Sequence, residues 1–254
     1  MNMTKIILCG CNGKMGKVIS RCVAERGDCE IVAGIDLAGV GDGGYPVFPA
    51  PRQVTVTGDV IIDFSHPSVV DGLLEFAVGH KIPVVVSTTG YSESQVEKLK
   101  AASKTIPIFY SGNMSLGINL LIELAKRAAA VLGSDFDIEI VEKHHNSKID
   151  APSGTALMLA NGVSEMMQPP VEYVYDRHTK REKRTKQEIG IHAVRGGTIV
   201  GEHEVIFAGH DEVITLSHSA QSREVFAVGS INAALFLADR QPGMYQMGDL
   251  LADR

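Results

Sequence analysis

Lys5-Ile6-Ile7-Leu8-Cys9-Gly10-Cys11-Asn12-Gly13-Lys14-Met15-Gly16 decides how the first half of the chain is read. Lys5–Gly10 is short, β-branched and apolar, as a buried strand is. Beyond it Met15, Val18, Ile19, Cys22 and Val23 recur at helical spacing. Between the two, Gly10, Gly13 and Gly16 permit a tight turn, close backbone approach and close packing of helix on strand. The helix start then offers N–H groups to a pyrophosphate. Asn12 stands where the strict G-x-G-x-x-G pattern has its second glycine, and asparagine tolerates left-handed backbone. Asp36 follows 20 residues after Gly16, at the end of the next strand, where a carboxylate bonds ribose hydroxyls. A plain strand–helix turn is the competing reading. The strand–turn–helix context together with Asp36 favours a bound nucleotide.

Working outward, the alternation continues. Glu30–Ile35 reads as a second strand, and a Gly/Pro/Asp-rich loop follows over about 37–58. Val60–Phe64 is a third strand, and Val69–Gly79 a helix with Pro67 at its start. Pro83–Ser87, Ser92–Ser103 and Ile106–Tyr110 read as strand, helix and strand. Strands separated by helices of this length argue a doubly wound parallel sheet, with the ligand crevice at the carboxyl ends of the strands. Ser87-Thr88-Thr89-Gly90 and Ser111-Gly112-Asn113-Met114 fall at those ends, with ordinary turn chemistry as an equal reading on spacing alone.

The second half differs. Ser115–Leu132 is a long helix, Phe136–Lys143 a strand and Gly154–Met167 a helix. Glu188–Arg195, Thr198–Val200, Glu204–Phe207 and Val213–Ser217 follow one another without helices, so an antiparallel or mixed sheet is expected. Val225–Ala238 is an apolar helix that needs a covering partner. The fold expected is thus α/β: a Rossmann-like doubly wound parallel sheet plus an α+β domain with a mixed sheet.

Composition narrows the function classes. The chain has 254 residues, 44% apolar and 21% charged, long enough for one large domain or two modest ones. No apolar run approaches a membrane span, and the N-terminal run is too short for a signal peptide; a cytoplasmic protein is expected. A net charge of −6 argues against nucleic acid as partner. The run Arg177–Lys186 holds six basic residues but no interleaved aromatics, and reads as a solvated loop. All four cysteines lie in the first 29 residues, which suits buried reduced thiols rather than a disulfide framework. Seven of nine histidines lie between 144 and 218, without the spacings of a metal site, so no metal is expected.

The densest chemistry is Glu142-Lys143-His144-His145-Asn146-Ser147-Lys148-Ile149-Asp150-Ala151-Pro152-Ser153-Gly154-Thr155-Ala156. Two histidines end a strand, where adjacent side chains point to opposite faces, so they are not placed to grip one metal. Imidazole, the Lys148 ammonium and a helix start at Ser153–Thr155 suit a small anionic substrate that needs a proton during reaction. A capping serine beside surface histidines is the bland alternative.

The string His-His-x-x-Lys-x-Asp-Ala-Pro-Ser-Gly-Thr-Ala resembles the signature of the 4-hydroxy-tetrahydrodipicolinate (dihydrodipicolinate) reductase family, of the diaminopimelate route to lysine. Gly10–Gly16, with Lys14 in the Arg position, Ser87–Gly90, Ser111–Asn119, Arg195–Gly197 and Gly201–His203 extend the resemblance over nearly the whole chain. The resemblance implies His144 as proton donor or acceptor and Lys148 as second proton donor and substrate contact. It implies His145, Lys148, Gly154 and Thr155 as ligands of a small dicarboxylate. Gly10, Cys11, Asn12, Gly13, Lys14, Met15, Asp36, Ser87, Thr88, Thr89, Ser111, Gly112, Asn113 and Met114 would hold NADH or NADPH. Some members follow the acidic residue with an arginine that reads the 2′-phosphate. Here Leu37 follows Asp36, so NADH is the expected preference. The resemblance further implies a dinucleotide-binding domain of residues 1–113 and 222–254, a substrate-binding and tetramerisation domain of 114–221, domain closure, and a homotetramer. Two other functions stand against it. An amino-acid dehydrogenase would not need the His-His-x-x-Lys string, and a nucleotide-sensing regulator would carry a DNA-binding module that the sequence lacks.

Overall fold

A computed structural model describes residues 3–41 and 43–253. The chain divides into two compact units, Met1–Ser115 with Arg223–Arg254, and Leu116–Ser222.

In the first unit β1 (Thr4–Cys9) leads into α1 (Lys14–Ala24), followed by β2 (Cys29–Ile35), β3 (Val47–Phe48), β4 (Val60–Asp63), α2 (Val70–His80), β5 (Val84–Val86), α3 (Glu93–Ala102) and β6 (Pro107–Tyr110). Ile6, Ile7 and Leu8 are consecutive and wholly buried, as expected of a parallel strand covered on both faces. Each such side chain contributes about 1.5–3 kcal/mol by leaving water. One face of the sheet, with Ile7, Ile61, Val84 and Ile108, packs on Leu73, Leu74 and Ala77 of α2 and Leu99 of α3. Ser92 and Gln95 close a capping box that fixes where α3 begins.

The second unit opens with α4 (Leu116–Leu132), then β7 (Asp137–His144), α5 (Gly154–Ser164), β8 (Glu172–Val174), β9 (Glu188–Arg195), β10 (Gly201–Ala208) and β11 (Val213–Ala220). Its sheet runs β11-β10-β7-β9-β8, mixed: β10 is antiparallel to β11 and β7, whereas β9 is parallel to β7 and β8. Ile138, Ile140, Ile189, Ile191, Val205 and Phe207 bury one face against α4 and α5. Along β7 burial alternates strictly, so Ile138, Ile140, Glu142 and His144 share the covered face.

The chain then returns to the first unit through α6 (Glu224–Leu237), β12 (Gly243–Tyr245) and α7 (Met247–Ala252). The apolar α6 finds its covering partner there, packing on β4, β5, β6 and α1. The completed sheet is parallel, in the order β12-β6-β5-β4-β1-β2-β3. This is the doubly wound, Rossmann-like arrangement, and its strand order reverses between β1 and β4.

Three local expectations need correction. Thr198–Val200 is not a strand: Gly197 takes a left-handed turn (φ 49°) and β10 starts at Gly201. The basic run is not simply a solvated loop. Arg184, 16% exposed, bonds Glu139, Asp137 and the Ile138 carbonyl, and Arg177 pairs with the buried Glu188. The 37–58 loop contains the two-residue β3. No described helix is long and apolar enough to cross a membrane.

Candidate active site

Parallel register aligns the strand ends of the first unit. Cys9 lies beside Ile35 and Asp63, Asp63 beside Val86, and Val86 beside Tyr110. The segments that leave these ends are therefore brought to one edge: Gly10–Met15, Asp36, Ser87–Thr89 and Ser111–Met114. Gly10 takes φ 81°, and a Cβ on it would meet the Phe64 carbonyl oxygen at 2.4 Å. A Cβ on Gly16 would stand 2.2 Å from the Gly10 carbonyl oxygen. Only glycines allow the turn and the helix to close this tightly. Gly13 precedes α1 without a side-chain cap, so no side chain occupies the helix start.

Asp36 accepts bonds from the Asn12 and Ala38 N–H groups (3.2 and 3.3 Å), and makes no ion pair among the described residues. The next side chain, Leu37, is 88% exposed. The Cys11 side chain is buried against Gly34, which leaves the backbone at this position for any ligand.

Asp63, buried at the end of β4, was not singled out from sequence. Its carboxylate accepts from the Thr88 hydroxyl (2.7 Å), the Ser65 hydroxyl and N–H (2.5 and 3.1 Å) and the Tyr91 hydroxyl (3.1 Å). Thr88 also accepts from the Ser65 N–H, so its hydroxyl holds two strand-end turns together. Neighbouring Ser87 differs: its buried hydroxyl has no partner among the described residues. A buried hydroxyl without a partner calls for one. In Ser111–Met114, Asn113 Oδ1 accepts from the Ser115 N–H and Ser111 Oγ donates to the Asn113 carbonyl, fixing the turn.

In the second unit the site gathers where β7 ends and α5 begins. Glu142 is wholly buried and accepts four bonds. Arg195 donates Nη1 to Oε2 (2.8 Å) and Nη2 to Oε1 (2.7 Å), the Ser153 N–H donates to Oε1 (3.0 Å), and His144 Nδ1 lies 2.6 Å from Oε2. Burial works against the charge of Glu142, but these donors outweigh it and hold the carboxyl below its ordinary range. His144 is 8% exposed, and its pKa is lowered: burial dominates, Lys148 and Arg195 add repulsion, and Glu142 opposes them.

The His203 ring packs edge-on to His144 at 5.2 Å, with Nε2 3.0 Å from Ser153 Oγ. Burial and the neighbouring His144 push its pKa down to about 4. Ser153 does cap α5, accepting from the Ala156 N–H at 3.1 Å, so the cap and the site share one residue. Gly154 and Thr155 form the first positions of α5, and nothing lies within 4 Å of a Cβ built on Gly154. Lys148 Nζ pairs with Asp150 Oδ1 at 2.9 Å, and His145, beyond the end of β7, bonds Ser147 through Nδ1 at 2.8 Å.

Sequence reading places Ser153 at the helix start but gives Glu142, Arg195 and His203 no role in this cluster. The i, i+2 spacing of Glu142 and His144 on one strand was the available signal; Arg195 and His203 arrive through tertiary pairing alone. Among the described residues there is no group of three or more metal-ligating side chains.

Comparison with known proteins gives a consistent result. Residues 4–114 match the family described as dihydrodipicolinate reductase, N-terminus, and residues 117–251 match dihydrodipicolinate reductase, C-terminus. The chain is 55% identical over 249 residues to the 4-hydroxy-tetrahydrodipicolinate reductase of Caldanaerobacter subterraneus subsp. tengcongensis, covering 98% of each chain. It is 48% identical to that of Clostridium tetani, over 98% of this chain and 97% of the other. The fold is shared with the dipicolinate-bound dihydrodipicolinate reductase of Paenisporosarcina sp. TG-14 (TM-score 0.80, 24% identity, 96% and 98% of the two chains). The chain belongs to the dihydrodipicolinate reductase family and is an oxidoreductase.

Proposed function

We propose that this enzyme reduces 4-hydroxy-tetrahydrodipicolinate to tetrahydrodipicolinate with NADH or NADPH, on the diaminopimelate route to lysine. The observation that carries the reading is the site at the end of β7. It combines a nearly buried imidazole bonded through Nδ1, the Lys148 ammonium and a helix start within one short segment. Replacing the substrate hydroxyl by hydrogen takes in one hydride and one proton and releases one water.

Residues 1–113 and 222–254 are assigned to dinucleotide binding. The glycine cradle of Gly10, Gly13 and Gly16, the partnerless buried Ser87 hydroxyl and the Asp36 carboxylate fit such a group. The remaining contacts are assigned to Cys11, Asn12, Lys14, Met15, Thr88, Thr89, Ser111, Gly112, Asn113 and Met114. When bound, the reduced nicotinamide supplies the hydride. Asp36 followed by Leu37 favours NADH, because a carboxylate repels a 2′-phosphate and no cation follows it.

Residues 114–221 are assigned to substrate binding and tetramerisation. His144 delivers the proton, and Lys148 assists as second donor while its ammonium neutralises a carboxylate. To do so Lys148 exchanges Asp150 for the substrate. His145 contacts the substrate, and the start of α5 at Gly154–Thr155 receives the second carboxylate. The long edge strand β11, with Val213 and Ile214 exposed, supports association of copies into a homotetramer.

The test is oxidation of reduced nicotinamide by the purified chain, with substrate generated in situ by the preceding synthase. Oxidation that requires the synthase reaction is expected. A rate at background with both cofactors overturns the assignment.

A further inference from the structure

We infer that Glu142, clamped by Arg195, is a positioning residue that sets the tautomer of His144 and leaves Nε2 as the nitrogen that exchanges the proton. The inference deepens the function proposed above and rests on His144 as the acid of that reaction.

The sequence places the two groups. Residues i and i+2 of a strand share a face, and β7 ends at His144, so Glu142 lies one pleat behind the imidazole. The carboxylate is wholly buried, yet each oxygen accepts two bonds. A two-point Arg–carboxylate pair is strong and directional, and it keeps Glu142 charged although the side chain is wholly buried. The N–H of Ser153 adds a donor that no side-chain change can remove.

An ionised carboxylate only accepts hydrogen bonds. The 2.6 Å contact with His144 Nδ1 therefore requires a proton on Nδ1. In the neutral ring, Nε2 then carries the lone pair. In the imidazolium, Nε2–H is the proton not held by the protein. The alternative tautomer would set a lone pair against the carboxylate in a buried site, at high electrostatic cost.

The surroundings of His144 show what Glu142 has to counter. Arg195 comes from β9, His203 from β10 and Lys148 from the segment after β7, with Asp150 paired to Lys148. Two cations and burial disfavour an imidazolium here, and Glu142 is the charge that favours it. Gly201 of β10 lies beside Nε2 and carries no side chain that would press on it: a Cβ there would stand 3.1 Å away. The donor form thus depends on Glu142 for its charge balance as well as its orientation.

The test reads the ring directly in the full chain, by long-range ¹H–¹⁵N spectra of the His144 nitrogens across pH, beside steady-state kinetics. The wild type should show the Nδ1–H tautomer. In Glu142→Gln the Nε2–H form should appear and the ring titration should move down by about one pH unit or more. In the same variant kcat should fall at least about tenfold while KM moves less than about threefold. Glu142→Asp should restore part of the Nδ1–H population. Glu142→Gln with Arg195→Met removes both charges of the pair, so it guards against misfolding from an unpaired arginine, and the tautomer change should persist in it. An Nε2–H ring in the wild type overturns the inference. So does a folded Glu142→Gln protein with unchanged tautomer, pH profile and kcat, since Glu142 would then serve folding alone. If the wild type fails to oxidise reduced nicotinamide, the proposed reaction fails, while the ring spectra still decide the tautomer.

Discussion

Gly201 lies against the ring of His144: a Cβ on Gly201 would stand 3.1 Å from Nε2. That is tight enough to turn the ring or displace β10. Gly201→Ala should lower kcat by about tenfold, through a misplacement of a few tenths of an ångström at the transferring nitrogen. Overpacking should cost about 1–3 kcal/mol of stability at most. Steady-state kinetics alongside denaturant unfolding separate the two effects. Unchanged kcat would mean that Nε2 does not use the space beside Gly201.

His203 makes folding sensitive to acid. Burial, then the charge of His144, lowers its folded-state pKa to about 4, below the ordinary value of 6.5. The unfolded chain takes up this proton first as pH falls. The contribution is therefore full above pH 6.5 and is lost toward pH 4, reaching about 3 kcal/mol there. Unfolding free energies at neutral pH and near pH 4 should converge between wild type and His203→Asn by about that amount. Parallel pH curves would contradict the assignment.

The proposed preference for NADH rests on Asp36 and Leu37. Because Leu37 is 88% exposed, an arginine fits there without repacking. The wild type should favour NADH in kcat/KM. Asp36→Ser with Leu37→Arg should raise the NADPH-to-NADH ratio of kcat/KM at least about tenfold, a change of about 1.4 kcal/mol. A wild type that prefers NADPH would reverse the reading of Asp36.

Lys148 pairs with Asp150 at 2.9 Å, and in the proposed function the substrate takes the place of Asp150. Lys148→Gln should raise KM by about tenfold or more, as expected for loss of a charged hydrogen bond worth about 1.5–3 kcal/mol. Asp150→Asn frees the ammonium and should lower KM, by about threefold at most because the pair is partly solvated. An increase in KM for Asp150→Asn would assign Asp150 a direct role in the substrate site.

Much of this was legible in the chain itself. The apolar runs of β1, β4, β5 and β6 read as parallel strands because both faces are buried along them, so apolar residues follow one another without alternation. Gly10 and Gly16 could be read because their positions admit no side chain. The short strands β3, β8 and β12 could not, since they lack the continuous apolar run that marks β5 and owe their pairing to a longer neighbour. Thr198–Val200 misled through its β-branched composition, which the left-handed turn at Gly197 overrides. In the site, His144 and Lys148 stood out as a dense local string. Glu142 heads that string without a role of its own, because its meaning depends on Arg195 from β9 and Ser153 at the start of α5. Ser153 shows that capping and site-building coincide in one residue, where sequence reading treated them as alternatives.

The most direct measurement is the kinetic split of His144→Ala with substrate generated by the preceding synthase. Loss of the general acid should lower kcat by about a hundredfold or more, with KM within about threefold because the carboxylate contacts remain. A kcat equal to the wild type's would remove His144 from proton transfer and contradict the account.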